Sequence, residues 1–202
     1  MKNFRAAVLA AVPLALALAL AGCSGAGDNS MPGMDHGEGD NTSSASPSVE
    51  AHGEFNAADS TFAMMMIPHH QQAVEMSEII LGKSEVDQRV SEIAQQIKDT
   101  QTPEIELMQS WLRSWGTPSA GDMDHGDGMM SEDDMTALEA ANGAGAARIF
   151  LEQMIVHHEG AIEMARAELE DGINPDALAL AQTIIDAQTA EIATMQDLLT
   201  QI

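Results

Sequence analysis

The stretch FAMMMIPHHQQAVEM, residues 62–76, decides the fold because the chain contains it twice. Residues 150–164 read FLEQMIVHHEGAIEM, so Phe62, Met66, Ile67, His69, His70, Ala73, Glu75 and Met76 recur as Phe150, Met154, Ile155, His157, His158, Ala161, Glu163 and Met164. On a helix turning about 100° per residue, Phe62, Met66, Ala73 and Met76 share one stripe, with His69 and His70 bordering it and Glu75 pointing away. Each copy is therefore an amphipathic helix whose core-facing edge carries two imidazoles. Pro68 frees the carbonyl of Met64 one turn back. Its counterpart is Val156, and Pro103 further on matches Ala190, so neither proline belongs to the shared chemistry.

The segments that follow repeat too: AQQIKDTQTPEIELMQSWL from Ala94 aligns with AQTIIDAQTAEIATMQDLL from Ala181. Glu104 and Met108 lie on the inward side of the first, with Gln101 and Leu112, and Glu191 and Met195 match them in the second. Asp99 and Asp186 fall on the opposite face. No stretch alternates with period two, so the expected class is all-α. Each half is a helical hairpin that cannot bury its apolar face alone, and two of them should pack as an antiparallel four-helix bundle with a pseudo-twofold relation.

Punctuation sets the expected boundaries. Asp59 or Ser60 can cap a helix that Gly82 ends, and Ser84 with Asp87 suggests a capping pair for the next, which reaches about Trp115. Residues 116–130 are a Gly, Pro and Asp loop between hairpin one (57–115) and hairpin two (131–202). Ser131 with Asp134 starts another helical stretch, which breaks near Asn142-Gly143 and resumes to Asp171. Asn174-Pro175-Asp176 opens the last helix.

Outside the bundle, residues 1–22 have the basic start and short apolar run of a signal peptide, ending in Leu-Ala-Gly before Cys23, the only cysteine. That pattern resembles a lipoprotein cleavage site, so Cys23 is the expected lipidation point, and one cysteine excludes a disulfide framework. Residues 23–56 are a Gly, Ser, Asp and Asn tether with too few apolar side chains to offset their ordering entropy. Eight basic side chains against 32 acidic give a formal charge of −24, and losing the leader removes Lys2 and Arg5 only. Such a chain repels nucleic acid and anionic headgroups and attracts cations. The expected place is therefore outside the cytoplasm, lipid-anchored on the outer face of the cell membrane or in the periplasm.

The inward polar residues indicate which cation. A carboxylate on a core-facing stripe must be paired, protonated or metal-bound. Imidazole suits copper, zinc, iron and nickel, whereas thioether sulfur selects copper(I) over zinc or magnesium. His69, His70, His157 and His158, with Met66, Met76, Met108, Met154, Met164 and Met195 and the carboxylates of Glu104 and Glu191, form the candidate metal set. Met66 can chelate with His69 or His70, and Met154 with His157 or His158. Adjacent histidines diverge by about 100°, so each pair serves two sites, or one ring ligates while the other hydrogen-bonds a carboxylate. Met-Asp-His-Gly also occurs in two acidic, glycine-rich segments. There Met31, Met34, His36, Met123, His125, Met129 and Met130 are weaker, exchangeable candidates.

The motif FAMMMIPHHQQA, with the later D-x-Q-x-x-E-I-x-x-M, resembles the CopM-like family of ferritin-like four-helix domains, over about residues 57–202. The resemblance implies an exported copper-binding protein of copper tolerance or handover. The reading is thus copper, as copper(I), with no organic cofactor, sequestered or delivered rather than acted on. A copper-transfer protein is the expected partner, and self-association stays open. Two alternatives stand beside it: a ferritin-like metal oxidase, and a metal-free structural or adaptor lipoprotein whose histidines only bond to Glu104 and Glu191. A di-iron oxidase would need Glu-x-x-His, and Met66 and Met154 occupy the glutamate positions.

Overall fold

The computed structural model describes residues 54–118 and 128–202, and every regular element among them is helical. In order these are α1 (Ala57–Leu81), α2 (Gln88–Trp115), α3 (Glu132–Ala140), α4 (Gly143–Asp171) and α5 (Pro175–Leu199). The pairs α1/α2 and α4/α5 are the two hairpins. They join through α1 against α4, while α2 and α5 barely touch. The leader, Cys23 and the tether candidates Met31, Met34 and His36 lie outside the described residues, as do Met123 and His125 of the loop.

Two of the expected caps are different residues. Asn56, not Asp59 or Ser60, caps α1, accepting from the Ala58 and Asp59 amides while Asp59 returns a bond to the Asn56 amide. Asp87, not Ser84, caps α2 through the Arg89 amide. Ser131 and Asp134 do form the capping box of α3, and Asn174 caps α5 ahead of Pro175. Gly116 ends α2 in the left-handed conformation, φ 67°, which glycine alone adopts without steric cost.

Apolar side chains fill two clusters, one around Ile80, Ile97, Phe150 and Leu151, the other around Phe62, Trp111, Leu112 and Ile184. Each such side chain contributes about 1.5–3 kcal/mol when fully buried. Along α1, Met66 belongs to one cluster and Ala73 to the other, with His69 and His70 between them. The short α3 covers the groove between α1 and α4 at the first cluster. Leu138 is wholly buried there, Lys83 donates to the Glu139 carbonyl at 2.8 Å, and Gln153 donates to the Asp134 carbonyl at 2.9 Å.

Asp59 is buried because its carboxylate closes the far end of the molecule, accepting from the Ile173 and Asn174 amides at 3.1 and 2.8 Å. Burial pushes Asp59 up, but these bonds, that from Asn56 and the neighbouring Glu168 outweigh it and hold the group below its ordinary range. Glu168, 1% exposed, goes the other way. Burial first, then its hydrogen bonding to and the charge of Asp59, raise it from 4.5 to about 8. A carboxyl that keeps its proton only in the folded state loses stability as pH rises from its unfolded to its folded value. Between about pH 4.5 and 8 the melting temperature should therefore fall from this source and level off above. The Asp59 contribution is lost only on the acid side, as pH falls below its ordinary 3.8. Glu168→Gln keeps the shape without the proton, so thermal melts from pH 5 to 9 should lose most of that slope, with the variant more stable than wild type at pH 8 and above.

Candidate metal centre

The repeat brings its four histidines to the place where α1 and α4 pack together. The rings of His69 and His157 meet with centroids 3.7 Å apart and planes tilted by 41°, and all four rings are 1% exposed or less. These two residues come from equivalent positions of the two hairpins, so the pseudo-twofold relation passes between them. Their neighbours turn the other way. His70 Nε2 lies 2.9 Å from Glu104 Oε2, and His158 Nε2 lies 2.7 Å from Glu191 Oε2. Each histidine pair thus contains one ring held by a carboxylate and one ring facing its twin.

Both nitrogens of His69 and of His157, and the Nδ1 atoms of His70 and His158, are buried with no hydrogen bond of ordinary geometry. A buried polar atom left in this way costs about 1–3 kcal/mol, and six of them gather at the contact between α1 and α4. Burial first, then the neighbouring His70 and His158, pull the His69 imidazole down to about 3. Burial and the surrounding rings, His69 foremost, also hold His157 well below its usual value. Both rings are therefore neutral at physiological pH with lone pairs free for a cation. Their Glu-held neighbours fit the arrangement in which a carboxylate fixes the tautomer and orientation of a ligating imidazole.

Methionines stand one helical turn from the histidines and from their carboxylates. Met66 and Met154, one turn before His69 and His157, are fully buried, as are Met108 and Met195, one turn beyond Glu104 and Glu191. Met76 is buried in the apolar cluster around Ile80. Its repeat partner Met164 departs from the pattern, half-buried on the wall of a groove between the start of α1 and the end of α4. Of the loop candidates, Met129 and Met130 lie among the described residues. The Met130 backbone exchanges hydrogen bonds with the Gln72 side chain at 2.7 and 2.9 Å, one turn past His69. Gly128, φ 93°, rests on Gly160, one turn past His157, where a Cβ would come within 2.8 Å of the Gly160 Cα. Residues 128–130 thus lie against α1 and α4 one turn past the histidines, and the close approach at Gly128 needs glycine.

Two residues absent from the candidate set belong beside it. Gln101 and Gln188, equivalent in the repeat and 2–3% exposed, each bury a carbonyl oxygen with no hydrogen bond, one turn before Glu104 and Glu191. Their inward position was readable from the helical period, but a neutral amide gives no signal of demand until its burial is known. Gln96 of the first hairpin also donates to Glu191 at 3.2 Å, tying the two halves together at the site.

Comparison with known proteins agrees with this architecture. The model of a domain of unknown function, DUF305, matches residues 59–199. A DUF305 protein of Streptomyces coelicolor, inferred to be secreted, has a crystal structure that superposes with a TM-score of 0.68 at 34% identity, covering 71% of this chain and 91% of that one. A DUF305 fragment from Deinococcus radiodurans gives 0.68 at 29% identity, over 73% and 98% of the two chains. CopM in its Cu(I)-bound form gives 0.63 at 32% identity, over 71% and 96%, and CopM is also known in Cu(II)-bound, Ag-bound and apo forms. No functionally curated protein sequence matches the chain significantly.

Proposed function

This chain belongs to the DUF305 family, and from that premise we propose that it binds copper, as copper(I), at the four-histidine centre, to sequester the ion or hand it on. The observation that carries the reading is the set of six buried ring nitrogens with no hydrogen bond, backed by carboxylates on His70 and His158. His69 and His157 are the direct ligands. His70 and His158 join them through Nδ1, and Met66 and Met154 supply sulfur from the preceding turn. Glu104 and Glu191 orient the rings, and Met108 and Met195 keep soft donors on the facing helices. This mixture of imidazole and thioether suits copper(I) and fits zinc or magnesium poorly. The relative CopM, which takes copper and silver, supports the same choice.

The protein is exported, anchored through a lipid on Cys23, and delivers copper to a partner protein rather than catalysing a reaction on it. No helix among the described residues is long and apolar enough to cross a membrane. The methionines and histidines of the tether and loop capture copper more weakly. The test is a copper(I) competition titration on protein starting at Ser24. Wild type should prefer copper(I) to zinc by several orders of magnitude, and H69A/H70A/H157A/H158A should lose the tightest class of binding. Full binding by the quadruple variant would move the sites to the loops, and no binding by wild type would end the copper reading.

A further inference from the structure

The pseudo-twofold relation gives the bundle two equivalent grooves between α1 and α4, and among the described residues only one of them is covered. Leu138 of α3 fills the first as part of the cluster that holds Ile80 and Phe150, and α3 is tied there by Lys83 and Gln153. In the second groove the repeat puts Asp171 where the first has Lys83, Met65 where it has Gln153, and Glu168 where it has Ile80. Both ties are replaced, and a buried aliphatic chain has become a carboxyl. The second groove is therefore not a copy awaiting the same cap.

Among the described residues it is instead a pocket of about 350 Å³ whose lining includes Met65 from α1 and Met164 and Asp171 from α4. Glu168 lines the same space. Neither of its oxygens makes a hydrogen bond of ordinary geometry, although it is 1% exposed, and its polar neighbour is the Asp59 carboxyl. Asp59 is itself committed to the amides of Asn56, Ile173 and Asn174, so Glu168 is the carboxyl of the pair that lines the pocket. An apolar guest would have no use for that carboxyl, and a hard cation would not choose thioethers.

We propose that this groove is a second binding site for a soft monovalent cation, copper(I) or silver(I), held by Met65 and Met164 with a Glu168 oxygen. The site rests on the copper reading only for the choice of ion, and its ligands are separate from the histidines.

Silver(I) titration of the whole purified protein, followed by calorimetry, tests it. M65L/M164L is close to volume-conserving and should keep the fold by circular dichroism. It should hold one equivalent of silver fewer than wild type, while H69A/H70A/H157A/H158A keeps that equivalent. Glu168→Gln should weaken the same equivalent by about tenfold or more, on the scale of losing a supporting metal-site carboxylate. Unchanged stoichiometry and affinity in a folded M65L/M164L would overturn the groove site and leave the histidine centre standing. Loss of binding by the methionine variant alone, with the quadruple histidine variant equal to wild type, would overturn the histidine centre and leave the groove.

Discussion

Replacing His69 and His157 together by leucine should abolish tight copper(I) binding and, in the same variant, raise the melting temperature of the metal-free protein. The two effects have one cause. In the absence of metal the four ring nitrogens of these residues are buried with no hydrogen bond, at about 1–3 kcal/mol for each group left in that state. Leucine has nearly the volume of histidine and no polar atoms, so it fills the contact at 3.7 Å without that penalty. A net gain of about 2 kcal/mol would raise the melting temperature of a bundle this size by roughly 4–8 °C. Affinity should fall by more than the about 10–100-fold that follows loss of an outer carboxylate, because the donors themselves are gone. Differential scanning calorimetry and copper(I) competition on the same preparation read both. A less stable variant would mean that the rings are structural. A variant that still binds tightly would mean that they are bystanders.

The second large effect is expected at Glu104 and Glu191. Each holds one histidine ring by Nε2, at 2.9 and 2.7 Å, and so directs the free Nδ1. Glu104→Ala and Glu191→Ala should each weaken copper(I) binding by about 10–100-fold. The two will not combine additively if the rings share one ion. Stability should respond unequally. The Glu104 side chain is 13% exposed and water can replace it, whereas Glu191 is 7% exposed and also accepts from Gln96, so its loss also loosens the contact between the hairpins. Copper(I) affinity measured beside thermal melts separates the roles. Affinity unchanged in both variants would reduce the carboxylates to partners of buried histidines and nothing more.

Much of this was legible in the chain. The two copies of the His-His helix, and the Glu-x-x-x-Met helix after each, place His69, His70, His157, His158, Glu104 and Glu191 on inward faces by helical period alone. Their meeting across the pseudo-twofold is long-range, and it follows from duplication because equivalent helices bury equivalent faces. The caps were harder to read. Asp59 looks like the start of a helix by its type, but its oxygens are taken by the turn between α4 and α5, a partnership no local pattern announces, and Asn56 caps in its place. Glu168 was invisible for a related reason. It stands in a run of acidic residues near the end of α4, and its burial depends on Asp59 and the backbone at Gly172. The sequence also equates Met164 with Met76. Among the described residues α3 covers the groove beside Met76 and not the one beside Met164, and a nine-residue helix carries no local signal of which groove it will choose.

The central claim is that His69 and His157 share a copper ion. Diffraction from crystals loaded with copper(I), collected on either side of the copper absorption edge, tests it most directly. The strongest anomalous peak should lie within bonding distance, about 2 Å, of a ring nitrogen of His69 and of His157. Copper found only at the loop methionines, with nothing between those two rings, would contradict it.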